Sequence, residues 1–256
     1  MSDSRATSFG AEAVSYEAGR PDYPFDAVAW MLEPLSPGSR RVADVGAGTG
    51  KLTRLLVKAP DAEVVAIDPD AEMLAQLRQN VPGVPTFTGT AESLPLPDGG
   101  VDAVVLGQAW HWVDVARASR EIGRVLRPGG VLGLIWNVRD ERTTWVRRLT
   151  EIMHGSAAEE MLSGSGPEVA DPFRGLETWE GEWSRAMTRD RLHSMAQSRS
   201  YVITASEEER ARIRREMDAL FDELDLHGDA EIELPYVTRA FRTVRDGARS
   251  SGALRG

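Results

Sequence analysis

The run VADVGAGTGKLTRLL, residues 42–56, sets three glycines, Gly46, Gly48 and Gly50, between a β-branched stretch and a leucine-spaced one. An apolar strand that ends in such a loop and continues as a helix opens a βαβ unit, and the carboxyl end of that strand is where open α/β sheets bind ligands. Glycine there lets the chain turn and lets backbone approach a ligand with no Cβ in the way. Two common ligand classes fail on spacing. A phosphate-binding P-loop has four residues between its glycines and a Ser or Thr after its lysine, but counting back from Gly50 reaches Val45, and Leu52 follows Lys51. The dinucleotide fingerprint GxGxxG, started at Gly46, needs a third glycine where Lys51 stands. What remains is GxGxG with an acidic residue, Asp44, inside the preceding strand.

Along the chain, near-continuous apolar runs predict strands at Val42–Val45, Glu63–Ile67, Pro85–Thr88, Asp102–Leu106 and Val131–Trp136, of the kind buried on both faces of a parallel sheet. Helices fill the gaps. Leu52, Leu55 and Leu56 share one face, Met73, Leu74 and Leu77 another, and Ala116–Leu126 runs to a stop at Pro128-Gly129-Gly130. After Asn137 one helix is expected from Thr143 to Leu162, with Trp145, Leu149, Ile152 and Met153 on one side, ended by the partly mobile segment SGSGPEVADP. Glu177–Met187 and Glu231–Val244 read as two last strands. Between them come helices Arg189–Gln197 and Glu207–Leu226, the second opened by a capping box of Ser206 and Glu209 and packed through Ile213, Met217, Leu220, Phe221 and Leu224. The tail ARSSGALRG has nothing to pack and should fray. The expected organisation is a single domain: an N-terminal lid (1–40), a ligand-binding core (41–137), cap and substrate-side insertions (138–230), and a final strand (231–245).

The 256 residues, 41% of them apolar, suffice for a sizeable core. A net charge of −10 argues against a nucleic-acid partner, whose phosphates are met by clustered Lys and Arg; lysine occurs only at Lys51 and Lys58. With no cysteine there is neither a disulfide framework nor a Cys-based metal site. No apolar run approaches the roughly 20 residues that span a bilayer, so no membrane role is expected and the chain reads as soluble and cytoplasmic. Neither HxH nor HExxH occurs, and no metal is expected.

Five stretches together resemble a class I S-adenosylmethionine-dependent methyltransferase of the small-molecule group that includes trans-aconitate methyltransferase-like enzymes. They are YEAGRPDYP (16–24), the glycine loop, VVAIDPDAEML (64–74), GTAESLPLPDGGVDAVVLGQAWHW (89–112) and REIGRVLRPGG (120–130). The resemblance implies an α/β, Rossmann-like, doubly wound seven-stranded sheet with an antiparallel final strand pair and helical cap insertions. It further implies S-adenosyl-L-methionine as methyl donor, a small-molecule acceptor, and a monomer or homodimer. The donor would sit on Asp44 and on Gly46, Ala47, Gly48, Thr49 and Gly50 of the loop. Pro69 and Met73 would pack against adenine, Ala91 and Glu92 would meet its edge, Gln108 would lie along the methionyl part, and Tyr16 and Arg20 would lie near the donor's carboxylate.

The chemistry agrees. Asp68 ends the second predicted strand, where a carboxylate accepts hydrogen bonds from both hydroxyls of a ribose. A donor with a sulfonium and an amino group but no phosphate tolerates Asp44 and Glu92, which would repel a pyrophosphate. Asp44 has two compatible roles, direct contact with the ligand and satisfaction of the loop's own amides. AWHW at 109–112 follows the fourth strand, and Trp110 and Trp112 beside His111 would give an apolar site with one titratable group. His111 is a candidate base or a residue that orients the loop. Tyr23, Asn137 and Arg139 are the remaining substrate-side candidates; Arg139 either pairs with an acidic acceptor or, the more common outcome for an arginine, lies exposed at the surface. Tyr16, Arg20 and Tyr23 form either a lid over the ligand or a strap packed on the sheet. For Trp179, Trp183 and Tyr201, core packing is the first reading and substrate contact the second. Retained methyl transfer, a non-catalytic donor-binding module and an NAD-dependent oxidoreductase all need a glycine loop, in that order of preference.

Overall fold

The computed structural model describes residues 21–38, 40–155, 157–197, 199, 202 and 205–246. Tyr16, Arg20, Tyr201 and the tail from 247 lie outside the described residues. Seven strands, β1 (Arg40–Val45), β2 (Ala62–Asp68), β3 (Thr86–Thr88), β4 (Val101–Gly107), β5 (Leu126–Arg139), β6 (Glu177–Thr188) and β7 (Glu231–Val244), form one sheet in the order 3-2-1-4-5-7-6. The first five are mutually parallel, and β7 runs antiparallel to both β5 and β6. This is the expected Rossmann-like sheet with its antiparallel final pair. The order reverses at β1, and the neighbouring β1 and β4 therefore open a crevice at their carboxyl ends.

The apolar runs become strands because both sheet faces are covered. On one face Val42, Val64, Val105, Ile135 and Ala240 join Ala27, Val28, Met31 and Leu32 of α1 (Phe25–Leu32). On the other, Ala43, Ile67, Leu106, Leu132 and Trp136 join Ala118, Ile122 and Val125 of α4 (Val115–Val125). Two further α-helices lie between α1 and α4 in the chain, α2 (Thr53–Leu56) and α3 (Ala71–Asn80). Asp102, buried in β4, is the polar pin of the amino edge. It accepts the Arg41 backbone N–H at 2.6 Å and pairs with the guanidinium groups of Arg41 and Arg127 at 3.3 and 2.9 Å, the partnering a buried carboxylate requires.

A third core lies beyond the carboxyl edge. It joins α5 (Thr144–Met153), α7 (Arg189–Gln197) and α8 (Glu207–Glu223) to Met187, Leu234 and Tyr236. Arg139, at the end of β5, faces Tyr236 in the register, so this helical cap stands over the end of the sheet where the glycine loop emerges. Ser206 caps α8 by accepting the Glu209 N–H at 3.2 Å. Ile213, Met217, Leu220 and Phe221 are buried, each contributing about 1.5–3 kcal/mol of burial.

Four expectations change. The helix drawn from Thr143 to Leu162 is two, α5 and α6 (Ala157–Ser163), because His154 adopts φ +59° and Gly155 follows it. Helix α2 is a single turn. Helix α4 ends at Val125, and Leu126 already has extended backbone, so Pro128-Gly129-Gly130 lies within the β5 run. The SGSGPEVADP segment is tied to the core: Glu168 O accepts the Trp110 indole N–H at 2.8 Å, and the Ala170 N–H donates to Ser119 Oγ at 3.0 Å.

Candidate active site

The chain leaves β1 through Gly46 (φ +69°), Gly48 (φ +54°) and Gly50 (φ +91°), left-handed conformations that favour glycine. The Gly46 and Ala47 N–H groups both donate to Ile67 O, at 2.8 and 3.1 Å, which sets the loop across the end of β2. A Cβ on Gly46 would lie 2.7 Å from Ala109 Cβ, and one on Gly50 2.9 Å from Leu77 Cγ, so these two glycines serve packing. A Cβ on Gly48 would meet nothing within 4 Å. Gly48 is the glycine that faces open space, as a ligand cradle requires.

Two buried carboxylates flank the loop. Asp68 accepts the Gly48 N–H at 2.8 Å through Oδ2 and the Asp70 N–H at 2.9 Å through Oδ1. Burial pushes its carboxyl up to about 6 against the pull of these two amides. Asp44 accepts the Thr53 hydroxyl at 2.6 Å through Oδ2, while its buried Oδ1 has no hydrogen-bond partner. Burial, with the nearby Asp68 charge adding to it, raises Asp44 to about 7 despite the Thr53 bond. An orphaned buried oxygen is costly, and a cationic or N–H-bearing ligand would satisfy it.

The neighbouring candidates fall into three groups. Around the loop, a cavity of about 50 Å³ is lined by Pro21, Tyr23, Asp44, Gly46, Ala47, Gly48, Thr49, Lys51, Leu52, Gly107 and Gln108. Tyr23 lies across the end of β4, its hydroxyl 2.8 Å from where a Gly107 Cβ would stand. Gln108, at φ +56°, donates through Nε2 to Asn137 O at 2.9 Å, and Asn137 Nδ2 donates to Asp22 O at 3.0 Å. Asn137 therefore fastens the 21–23 strap to β5. A larger concavity of about 590 Å³, with Arg41, Glu63, Pro85 and Val101 in its wall, opens at the amino edge of the same strands, away from the loop.

Toward the expected adenine side, the Gly89 N–H donates to Asp68 O at 3.2 Å and brings the 90–93 turn beside the end of β2. Met73 and Ala91 are buried there and Pro69 is half-buried. The Glu92 carboxylate reaches α4, accepting the Asp114 N–H at 2.9 Å.

In AWHW the roles divide. Trp110 is a core residue, 1% exposed, held by Glu168 O, whereas Trp112 is 48% exposed. His111, half-buried, accepts the Trp136 indole N–H on Nδ1 at 3.4 Å. Arg139 is buried, donating from Nε to Thr150 Oγ1 at 3.1 Å, with Nη2 2.9 Å from Glu159 Oε1. Arg199 approaches the same oxygen at 3.7 Å. Trp183 stacks on Tyr236 at 4.9 Å and donates to Thr238 Oγ1, which donates in turn to Asn137 Oδ1 at 2.6 Å. Trp179 packs with the α1 cluster. Sequence reasoning did not single out Thr53, Trp136, Glu159 or Arg199. Only Thr53 carried a local signal, as a hydroxyl in the first turn after the loop.

Comparison with known proteins gives the family. A family profile described as a methyltransferase domain matches residues 43–134, from β1 into β5. An uncharacterized methyltransferase of Mycobacterium tuberculosis is 44% identical over 238 residues, covering 92% of this chain and 94% of its own length. The chain belongs to the methyltransferase family. Two solved structures share its fold. One, from Anaeromyxobacter dehalogenans and provisionally assigned as a type II methyltransferase, is 24% identical with a TM-score of 0.59, over 89% of this chain and 97% of that one. The other, phosphoethanolamine N-methyltransferase 2 of Haemonchus contortus in complex with S-adenosyl-L-methionine, is 15% identical with a TM-score of 0.50, over 93% and 57%. Methyltransferase membership implies S-adenosyl-L-methionine use. The residues fit that donor: an unobstructed Gly48, an orphaned carboxylate oxygen on Asp44, and the Asp68 carboxylate beside them.

Proposed function

We propose that this methyltransferase moves the methyl group of S-adenosyl-L-methionine to oxygen or nitrogen of a small molecule bearing an acid group, with carboxyl methylation among the outcomes. The observation that carries the donor assignment is the pair of acids around Gly48. Their negative charge suits an ammonium and ribose hydroxyls and would repel a pyrophosphate. When bound, the donor supplies a methyl group on a sulfonium, and the transfer disperses positive charge.

The protein's part is alignment and exclusion of water. The loop amides and Asp68 hold the ribose, Asp44 takes the ammonium, and the 21–23 strap fastened by Asn137 closes the side of the cavity. The acid group of the acceptor is supported by Arg139 and Arg199, two guanidinium groups that, among the described residues, share the carboxylate of Glu159. Nη1 of the buried Arg139 donates no hydrogen bond. A labelled-methyl transfer assay against small acids, phenols, amines and sugars tests the proposal; transfer to an acid is the expected result.

A further inference from the structure

Trp136 is fully buried in β5, edge-on to Phe241 at 5.8 Å, and its indole N–H has His111 Nδ1 as its acceptor. An indole nitrogen can only donate, and a neutral imidazole has one donor and one acceptor nitrogen. We infer that Trp136 is a positioning residue that fixes the His111 tautomer with the proton on Nε2, so that His111 serves the reaction as an N–H donor and not as a base. The inference rests on the proposed methyl transfer and adds the role of one of its residues.

Two observations and one chemical argument support it. A proton on Nδ1 would leave the buried indole N–H facing another donor, a cost comparable to a lost hydrogen bond. His111 sits on the one-turn 3₁₀ helix Trp110–Trp112, whose buried Trp110 anchors it and whose Trp112 ring lies 4.8 Å from the imidazole, and this backbone holds Nδ1 toward Trp136. An acid acceptor that is already ionised needs hydrogen-bond donors and alignment, with no proton to give up.

The tautomer is read directly by nitrogen-15 NMR of the full-length protein labelled at histidine, bound to S-adenosylhomocysteine. The expected result is a His111 Nδ1 with the shift of an unprotonated nitrogen and a protonated Nε2. In Trp136→Phe the two tautomers should mix. A protonated Nδ1 in the wild type overturns the inference, and so does a Trp136→Phe spectrum identical to wild type.

Transfer rates give a second reading. His111→Gln keeps an N–H donor and should retain most of kcat/KM, whereas His111→Ala should lose about tenfold, mainly in KM. Glutamine and alanine variants equally inactive, with a wild-type rate that rises as an imidazole deprotonates, would show a base and overturn the inference. Absence of any transfer by the wild type counts against the proposed reaction itself, and the spectrum still decides the tautomer.

Discussion

The Gly48 N–H donates to Asp68 Oδ2 at 2.8 Å, so the loop after β1 and the carboxylate that ends β2 form one unit. Asp68 shapes the cradle before any ligand arrives, and its substitution has two effects. In Asp68→Ala the ribose hydroxyls lose a charged acceptor, worth about 1.5–3 kcal/mol, and the loop amide loses its partner. Calorimetry with S-adenosylhomocysteine should show affinity reduced about ten- to a hundredfold, and less in Asp68→Asn, which keeps one acceptor oxygen for Gly48.

The same carboxylate makes donor affinity depend on pH. Burial holds Asp68 up at about 6, and the hydroxyl donors favour its ionised form. Binding should therefore weaken as pH falls through about 6, and the wild type should lose more affinity across that window than Asp68→Asn.

Asp44 carries the corresponding stability effect. Its carboxyl is raised to about 7 in the folded protein, above the value of 3.8 for an unperturbed group. The unfolded chain then binds fewer protons than the folded one between those values, so stability is fully present below 3.8 and is lost as pH rises through 7. Asp44→Asn removes the penalty and keeps an oxygen for the Thr53 hydroxyl. In the donor-free protein the variant should be more stable at pH 8, by an amount on the order of a few kcal/mol, with the advantage shrinking by pH 5. Urea unfolding at both pH values measures it, and an advantage that does not change with pH contradicts the assignment.

Gly46 and Gly48 should part company under alanine substitution. Gly46→Ala drives a Cβ to 2.7 Å from Ala109 Cβ and adds the left-handed backbone cost, about 1–2 kcal/mol, to an overpacking cost of about 1–3 kcal/mol. Gly48→Ala carries only the backbone cost. Unfolding midpoints of the two variants should be ordered accordingly.

The acid group proposed for the acceptor has its own signature. Neutralising both, as Arg139→Gln with Glu159→Gln, leaves neither partner of that pair as a lone buried charge, while Arg199 loses the carboxylate it approaches at 3.7 Å. The double variant should raise KM for an acid acceptor about ten- to a hundredfold with S-adenosylhomocysteine affinity unchanged. An unaltered KM would remove Arg139 from the acceptor site.

Much of this was legible in the sequence where one strand or helix dictates its own pattern. All seven strands appear where β-branched runs or alternation placed them, and the Ser206 cap and the apolar stripe of α8 are as read. The two acids proposed to meet the donor were legible because they sit at strand ends, Asp44 on β1 and Asp68 on β2. What stayed hidden depends on long-range contacts. Nothing local tells that Trp110 turns inward to Glu168 while Trp112 stays exposed, or that Glu159 and Arg199 converge on Arg139. Helical spacing ran on from Thr143 to Leu162, yet a left-handed His154 beside Gly155 broke the helix.

The central claim, that the loop holds S-adenosyl-L-methionine, is tested most directly by calorimetric titration of the wild type and Gly48→Val with S-adenosyl-L-methionine and with NAD. The claim predicts that the wild type binds the methyl donor and not NAD, and that a folded Gly48→Val, whose branched side chain fills the open space beside the loop, binds neither. Heat from NAD binding, or donor binding unchanged in Gly48→Val, would contradict it.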